Sequence, residues 1–489
     1  MATTNSPWPP CCRNPWPHAS ALRPCRRPTT PPSAEPARDH PMLTIKNIAA
    51  RALLIGASTL VHCHPAWALL PIEHWTEPSG ARVWLVQSPA IPMLDLRIDF
   101  DAGSRRDPAA QAGLASAVAT MAGKGVQGTD TEPPLDENGL GQAWADLGAR
   151  FQANADNDAL HYALRSLTDA PLLAQAARLA ARQIAEPAWI DAPWQRERER
   201  WSARLREDDT RPANVADQAF AAAVYGQHPY GVRATPQTLE RIGVADMQDF
   251  HRRHIAACRA RVSIVGAVSR AQAQTLVATL LARLPATPDC APLPAVGEVA
   301  ALAAALERNI PFASAQAHVL IGQPGFARRD PDFLALLVGN HILGGGGFVS
   351  RLTHEVRERR GLSYNVYSYF AAGLHAGAFT VGLQTRPDQA AEAVGIAREV
   401  IARFVADGPT EAELRAAKDQ LIGGFALRID SNEKLLGNVA NIAWNDLPLD
   451  YLEQWSSQVQ ALTVADVRAA MARKLQPGRM VTVVVGGRP

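Results

Sequence analysis

From Ala81 onward, apolar residues alternate between strand-like and helix-like spacing in an ordered way. ARVWLVQ and MLDLRIDFDAG place them at every second position, which predicts two strands of an early hairpin. An alanine-rich helix is expected from about Gln111, and RFQANADNDALHYALRSL reads as two strands across an NADND turn. Helices are predicted at Leu172 to Gln183, Pro193 to Glu207 and Val244 to His254, the last leading into the strand RVSIVGAV. The later half predicts the strand AHVLIGQPG, helices DFLALLVGNHIL and SRLTHEVRER, and strands NVYSYF and GAFTVGLQT. Further helices follow, then the closing strand MVTVVVGG. Strands in runs and helices in runs give an α+β class, one mostly antiparallel sheet per half with helices packed on it.

The halves also match in sequence. VADMQDFHRRHIAACRARVSIVGAV begins at Val244 and VADVRAAMARKLQPGRMVTVVVGG at Val464, an offset of 220 that also carries Val265-Gly266 onto Val485-Gly486. RRDP recurs at Arg105 and Arg328, offset by 223. A period of domain length implies a duplicated domain rather than a solenoid. The expected division is 69–284, a linker at 285–299 that includes PATPDCAPLP, and 300–489.

Composition narrows the picture. The 489 residues are 47% hydrophobic and 20% charged, with a net charge of +2, and basic residues are interspersed with acidic ones. That balance excludes nucleic acid as an expected partner. Residues 1–41 are proline-rich and aperiodic, and read as a mis-assigned start with Met42 the initiator. Residues 42–68 have the order of a signal peptide: Lys46 and Arg51, the apolar run Ala52 to Val61, then Ala66-Trp67-Ala68. The run is too short to span a bilayer, so a periplasmic or secreted protein with no membrane span after signal removal is expected. Removing 68 of 489 residues leaves 421 and two of six cysteines, Cys258 and Cys290. An oxidising compartment permits a bridge between them, but two cysteines make no framework, and free thiols are the expectation.

The most informative chemistry lies in Leu343 to Tyr364, LGGGGFVSRLTHEVRERRGLSY. Gly344, Gly345, Gly346 and Gly347 lack the lysine and Ser/Thr of a phosphate loop, and their expected use is backbone freedom beside a substrate. Arg357 and Tyr364 are side chains that could bind a peptide carbonyl or a developing oxyanion. His251 and His254 read as a pair of surface histidines, His354-Glu355 belongs to no zinc motif, and His228 of HPYG is expected to satisfy backbone groups at a turn. No G-x-S-x-G and no Ser/His/Asp set is evident, which removes a self-sufficient serine hydrolase.

With GLASAVATMAGKG at 113–125, HPYG at 228–231, the LGGGG-SRL-R-GLSY segment and the duplication, the chain resembles the pitrilysin/insulinase family of zinc peptidases. The likeness is to its mitochondrial-processing-peptidase-like branch and covers essentially all of 69–489. It implies two homologous domains forming a half-shell hinged at the linker. Peptide-cutting members carry H-x-x-E-H on the first helix, two histidines for Zn²⁺ and a glutamate for the bound water, with a further glutamate downstream. Alignment on Gly113-Leu114-Ala115 puts Ser116, Ala119 and Thr120 at those positions and the distal one near Ser202. No zinc ligand set remains in this half. The resemblance also implies that Arg357 and Tyr364 act across a subunit interface, holding substrate backbone at a zinc site on another chain.

The reading that follows is the non-metal subunit of a heterodimeric periplasmic zinc endopeptidase, inactive alone. It has no cofactor of its own, its partner is a homologous subunit carrying the zinc motif, and its substrates are unfolded or short peptides. A non-catalytic scaffold or peptide-binding protein of the same fold is the alternative.

Overall fold

Thirteen strands are present among the described residues of the computed structural model, which are 71–285 and 290–487. The start-site and signal-peptide readings fall on 1–68, outside them. The strands are β1 (Glu73–Thr76), β2 (Arg82–Gln87), β3 (Met93–Phe100), the short pair β4 (Gly125–Val126) and β5 (Leu135–Asp136), β6 (Arg150–Ala155), β7 (Leu160–Leu167) and β8 (Arg261–Gly266). The second half contributes β9 (Leu306–Ile310), β10 (Ala317–Pro324), β11 (Val366–Phe370), β12 (Ala378–Thr385) and β13 (Val481–Val485).

Two large sheets result, ordered β1-β2-β8-β3-β7-β6 and β11-β12-β10-β13-β9. Leaving out β1, the first runs β2-β8-β3-β7-β6 and the second, read from its other edge, β9-β13-β10-β12-β11. The chain therefore repeats one topology, with β8 and β13 as the equivalent strands that the 220-residue offset had matched. Each sheet is antiparallel apart from one parallel pair, β2 with β8 and β9 with β13.

The early hairpin does not form. β2 and β3 lie antiparallel but unpaired, with β8 inserted between them, Val83 opposite Val262 and Ile98 opposite Val262 in the two registers. β8 is buried along Val262 to Gly266, the signature of a strand covered on both faces. Alternation in β2 and β3 marks them as strands but carries no information about a neighbour arriving 160 residues later. The NADND hairpin is present as expected, with β6 and β7 paired from Arg150–Arg165 to Ala155–Leu160.

One face of the first sheet packs Leu94, Leu96, Ile98 and Phe100 against the helices Leu114–Met121 and Val244–His254. Its other face is covered by a helix from the second half. Asn432–Trp444 carries Leu435, Leu436, Val439, Ile442 and Ala443 on one stripe, packed on Trp84, Val86 and Val265. The exchange is reciprocal. Helix Pro212–Tyr225 of the first half places Ala216, Phe220 and Val224, spaced by four, on Leu320, Val481, Val483 and Val485 of the second sheet. Gly322 of β10 makes room for it, since a Cβ there would stand 2.8 Å from Phe220 Cζ and 1.9 Å from the Phe379 carbonyl oxygen.

Polar groups tie the same junction. Tyr230 of HPYG donates to Asp158 (2.5 Å), which also accepts from the Leu374 N–H (2.9 Å) and pairs with Arg105 (3.1 Å). His228 Nδ1 accepts from the Tyr230 N–H (3.1 Å), as expected of a turn histidine, while its Nε2 meets the Gly297 carbonyl (3.0 Å). Cys258 and Cys290 form a disulfide, Cα atoms 5.9 Å apart, so the free-thiol expectation is corrected. The turn before β8 and the segment leaving the first half meet there, a proximity that spacing in the sequence does not reveal.

Candidate functional site

Helix Phe333–Asn340 widens at its end into a π-helical turn, His341–Gly345, closed by Gly346 N–H donating to the His341 carbonyl (2.8 Å). Gly344 is buried against edge strand β11, where a Cβ would lie 2.4 Å from Ser368 Oγ and 2.7 Å from its backbone nitrogen. Asn340 fastens the same contact, donating to the Ser368 carbonyl (3.1 Å) and accepting from its hydroxyl (2.7 Å). The glycine run is thus not a free loop. Gly344 to Gly346 allow close packing, and only Gly347 adopts a left-handed conformation (φ +65°). That turn sends Phe348 and Val349 into solvent before Ser350 returns to the interior, its hydroxyl donating to the Gly347 carbonyl (2.7 Å).

The following helix is also π-wound over Thr353–Glu358 and stops at Gly361 (φ +62°). Ser363 then anchors the chain with hydrogen bonds to the Asn365 and Gln384 carbonyls (2.6 and 2.7 Å). Between these fixed points Tyr364 stands 82% exposed, beside the start of β11. Arg357 and Tyr364 meet, with the guanidinium carbon 4.8 Å from the phenol ring centre. The same carbon lies 4.8 Å from the ring of Phe348, a contact that sequence reasoning missed. Its only signal was an aromatic residue directly after the glycines.

The charges around Arg357 are engaged elsewhere. Glu355 accepts from Arg359 (2.9 and 3.0 Å) and Arg360 (2.6 Å), and Glu358 from His354 (3.0 Å). The Arg360 hydrogen bond, aided by Arg359 and opposed by partial burial, holds the Glu355 carboxyl below its usual range. Arg351 is forked onto Glu413 (2.7 Å to each oxygen). Among the described residues no carboxylate pairs with Arg357. A cavity of about 390 Å³ lies beside this helix, but its lining of Arg351, His354, Arg403 and Glu413 includes neither Arg357 nor Tyr364.

In the first half, Asp107 caps helix Leu114–Met121 by accepting from the Gly113 and Ala115 N–H groups (2.8 and 2.9 Å). Ser116 is half-buried, Ala119 is 4% exposed within the core, and Thr120 donates to the Ser116 carbonyl (2.8 Å). A methyl group in a hydrocarbon core cannot polarise water, and the two hydroxyls are poor ligands for Zn²⁺. Ser202 is buried on helix Asp191–Asp208; Glu197, earlier on the same helix, pairs with Lys124 (2.9 Å). No cluster of three or more His, Cys, Asp or Glu suited to a metal occurs among the described residues. This side-chain set does not fit zinc.

His251 and His254 are buried rather than on the surface, a correction. Their helix packs against Leu114–Met121, and each ring meets a backbone carbonyl, Ile184 (2.7 Å) and Phe250 (2.8 Å). Burial lowers both their pKa values below the usual imidazole range.

A solved peptidase M16 inactive domain from Pseudomonas fluorescens is similar over 86% of this chain and 98% of its own, with 34% identity and a TM-score of 0.80. The insulinase (peptidase family M16) model matches residues 82–235, and that of the peptidase M16 inactive domain 241–421. The chain belongs to peptidase family M16. Among curated relatives of this M16 chain, an uncharacterized zinc protease of Streptomyces coelicolor is 30% identical over 58% of the chain and 62% of its own length. The chain thus spans less than two thirds of that relative. An uncharacterized zinc protease of Mycobacterium tuberculosis is 29% identical over 86% and 94%. No helix among the described residues is long and apolar enough to cross a membrane.

Proposed function

We propose that this M16 chain is the non-metal subunit of a heterodimeric zinc endopeptidase, supplying Arg357 and Tyr364 to a zinc site on a homologous partner. One observation carries the reading. Arg357, half-buried, and Tyr364, exposed, stand together with no carboxylate paired to Arg357 among the described residues, while Ser116, Ala119 and Thr120 occupy the zinc-motif positions of the same chain. A guanidinium with no carboxylate beside it keeps its donor rim available to an acceptor brought by another molecule.

In this reading the Arg357 guanidinium binds a backbone carbonyl of the peptide, and the Tyr364 hydroxyl donates to the oxygen on which negative charge develops. The glycine turn, Gly344 to Gly347, sets the height of this pair against β11. Tyr364 stands two residues before edge strand β11, whose outward Val366 and Ser368 carbonyls already accept from Thr353 and Asn340. The division into 69–284, 285–299 and 300–489, signal removal after residue 68 and a periplasmic location belong to the same proposal. The Cys258–Cys290 disulfide supports an oxidising compartment.

The test is cleavage of quenched fluorescent peptides by the co-purified complex. Arg357→Ala is expected to lower kcat/KM by about 10²-fold and Tyr364→Phe by about tenfold or more, with the complex intact on a sizing column. Variants as active as wild type would remove the role. Co-purifying partners that lack H-x-x-E-H would favour the scaffold alternative.

A further inference from the structure

We propose that Phe348 is a positioning residue for Arg357, fixing the guanidinium so that its N–H edge is presented to substrate. The inference rests on the function proposed above. Phe348 is 69% exposed, so its ring adds little to the core, yet its centre lies 4.8 Å from the Arg357 guanidinium carbon. Tyr364 stands at the same 4.8 Å. The two rings make no contact with each other among the described residues, so they approach the guanidinium from different directions.

A guanidinium is planar, with weakly hydrated faces and five donors around its rim. Aromatic rings attract it through their quadrupole and leave the rim free. An arginine on an exposed helix otherwise loses much rotamer freedom when it binds. Flanking rings remove that freedom before substrate arrives, and the engaged Glu355 and Glu358 leave no local carboxylate to divert it. Phe348 is itself held in place, since Gly347 turns left-handed just before it and Ser350 is buried two residues after.

Phe348→Leu keeps an apolar side chain and removes the quadrupole, whereas Phe348→Tyr keeps the ring. Neither should unfold the chain, because the side chain is exposed. In the ¹⁵N-labelled full chain, the Arg357 Nε–H resonance, assigned with Arg357→Lys, should move in Phe348→Leu and stay in place in Phe348→Tyr. In the co-purified complex, Phe348→Leu should lower kcat/KM roughly two- to fivefold. Phe348→Tyr should restore it, and Phe348→Leu should add nothing in an Arg357→Ala background. An unmoved resonance, or an equal loss in both backgrounds, overturns the positioning role. Phe348→Leu without effect beside an impaired Arg357→Ala overturns this inference alone. Arg357→Ala without effect overturns the parent reading, and this one with it.

Discussion

Asp107 shows how one residue of the duplicated RRDP motif can set the pH response of the fold. Burial pushes its carboxyl up to about 7, although the Ala115 and Gly113 N–H groups pull the other way. The folded protein therefore holds this proton more tightly than the unfolded chain does. The linked stability is fully present below the unfolded value near 4 and is lost as pH rises through about 7. Urea unfolding between pH 4 and pH 8 should show this decline, on the order of 4 kcal/mol, and Asp107→Asn should flatten it. An unchanged slope in that variant would place the titrating group elsewhere. At the same scale, the pairing of Arg357 with Tyr364 was legible because both flank one short turn. Phe348 was not, because a single aromatic after glycines is compatible with core, surface or site.

Among the elements, the glycine turn is the clearest departure from the sequence reading. Glycine serves both mobility and close approach, and the sequence alone does not separate them. Here Ser368 decides it, because the absent Cβ of Gly344 is what lets the turn touch β11. Gly344→Ala should destabilise the protein by about 1–3 kcal/mol, the usual cost of overpacking, measured as a shift of the urea midpoint. Gly347→Ala should act through its positive φ instead, costing about 1 kcal/mol. If both substitutions prove neutral, the turn is looser than its contacts imply. Strands and most helices were legible from periodicity, since the 2.0 and 3.6 spacings follow from backbone geometry. Strand neighbours were not: the slot between β2 and β3 is filled by β8, whose position depends on tertiary packing alone.

For the whole molecule, the exchanged helices join the two halves through more than the linker. Each of the helices Pro212–Tyr225 and Asn432–Trp444 has an apolar stripe, but a stripe in the sequence does not say which sheet covers it. Phe220 is the test. Phe220→Ala should cost about 3–5 kcal/mol, and both halves should unfold in one transition, followed by tryptophan fluorescence and far-UV circular dichroism together. Two separated transitions in the parent protein would show that the exchange does not couple them. The exchange also has a consequence for covalent continuity. Each half roofs the other as two swapped copies of a single half would, so the peptide connection between them is not what keeps them together. A chain nicked between residues 286 and 289, with the Cys258–Cys290 bridge reduced, should remain a one-to-one fragment complex, and the two fragments expressed separately should find each other on mixing.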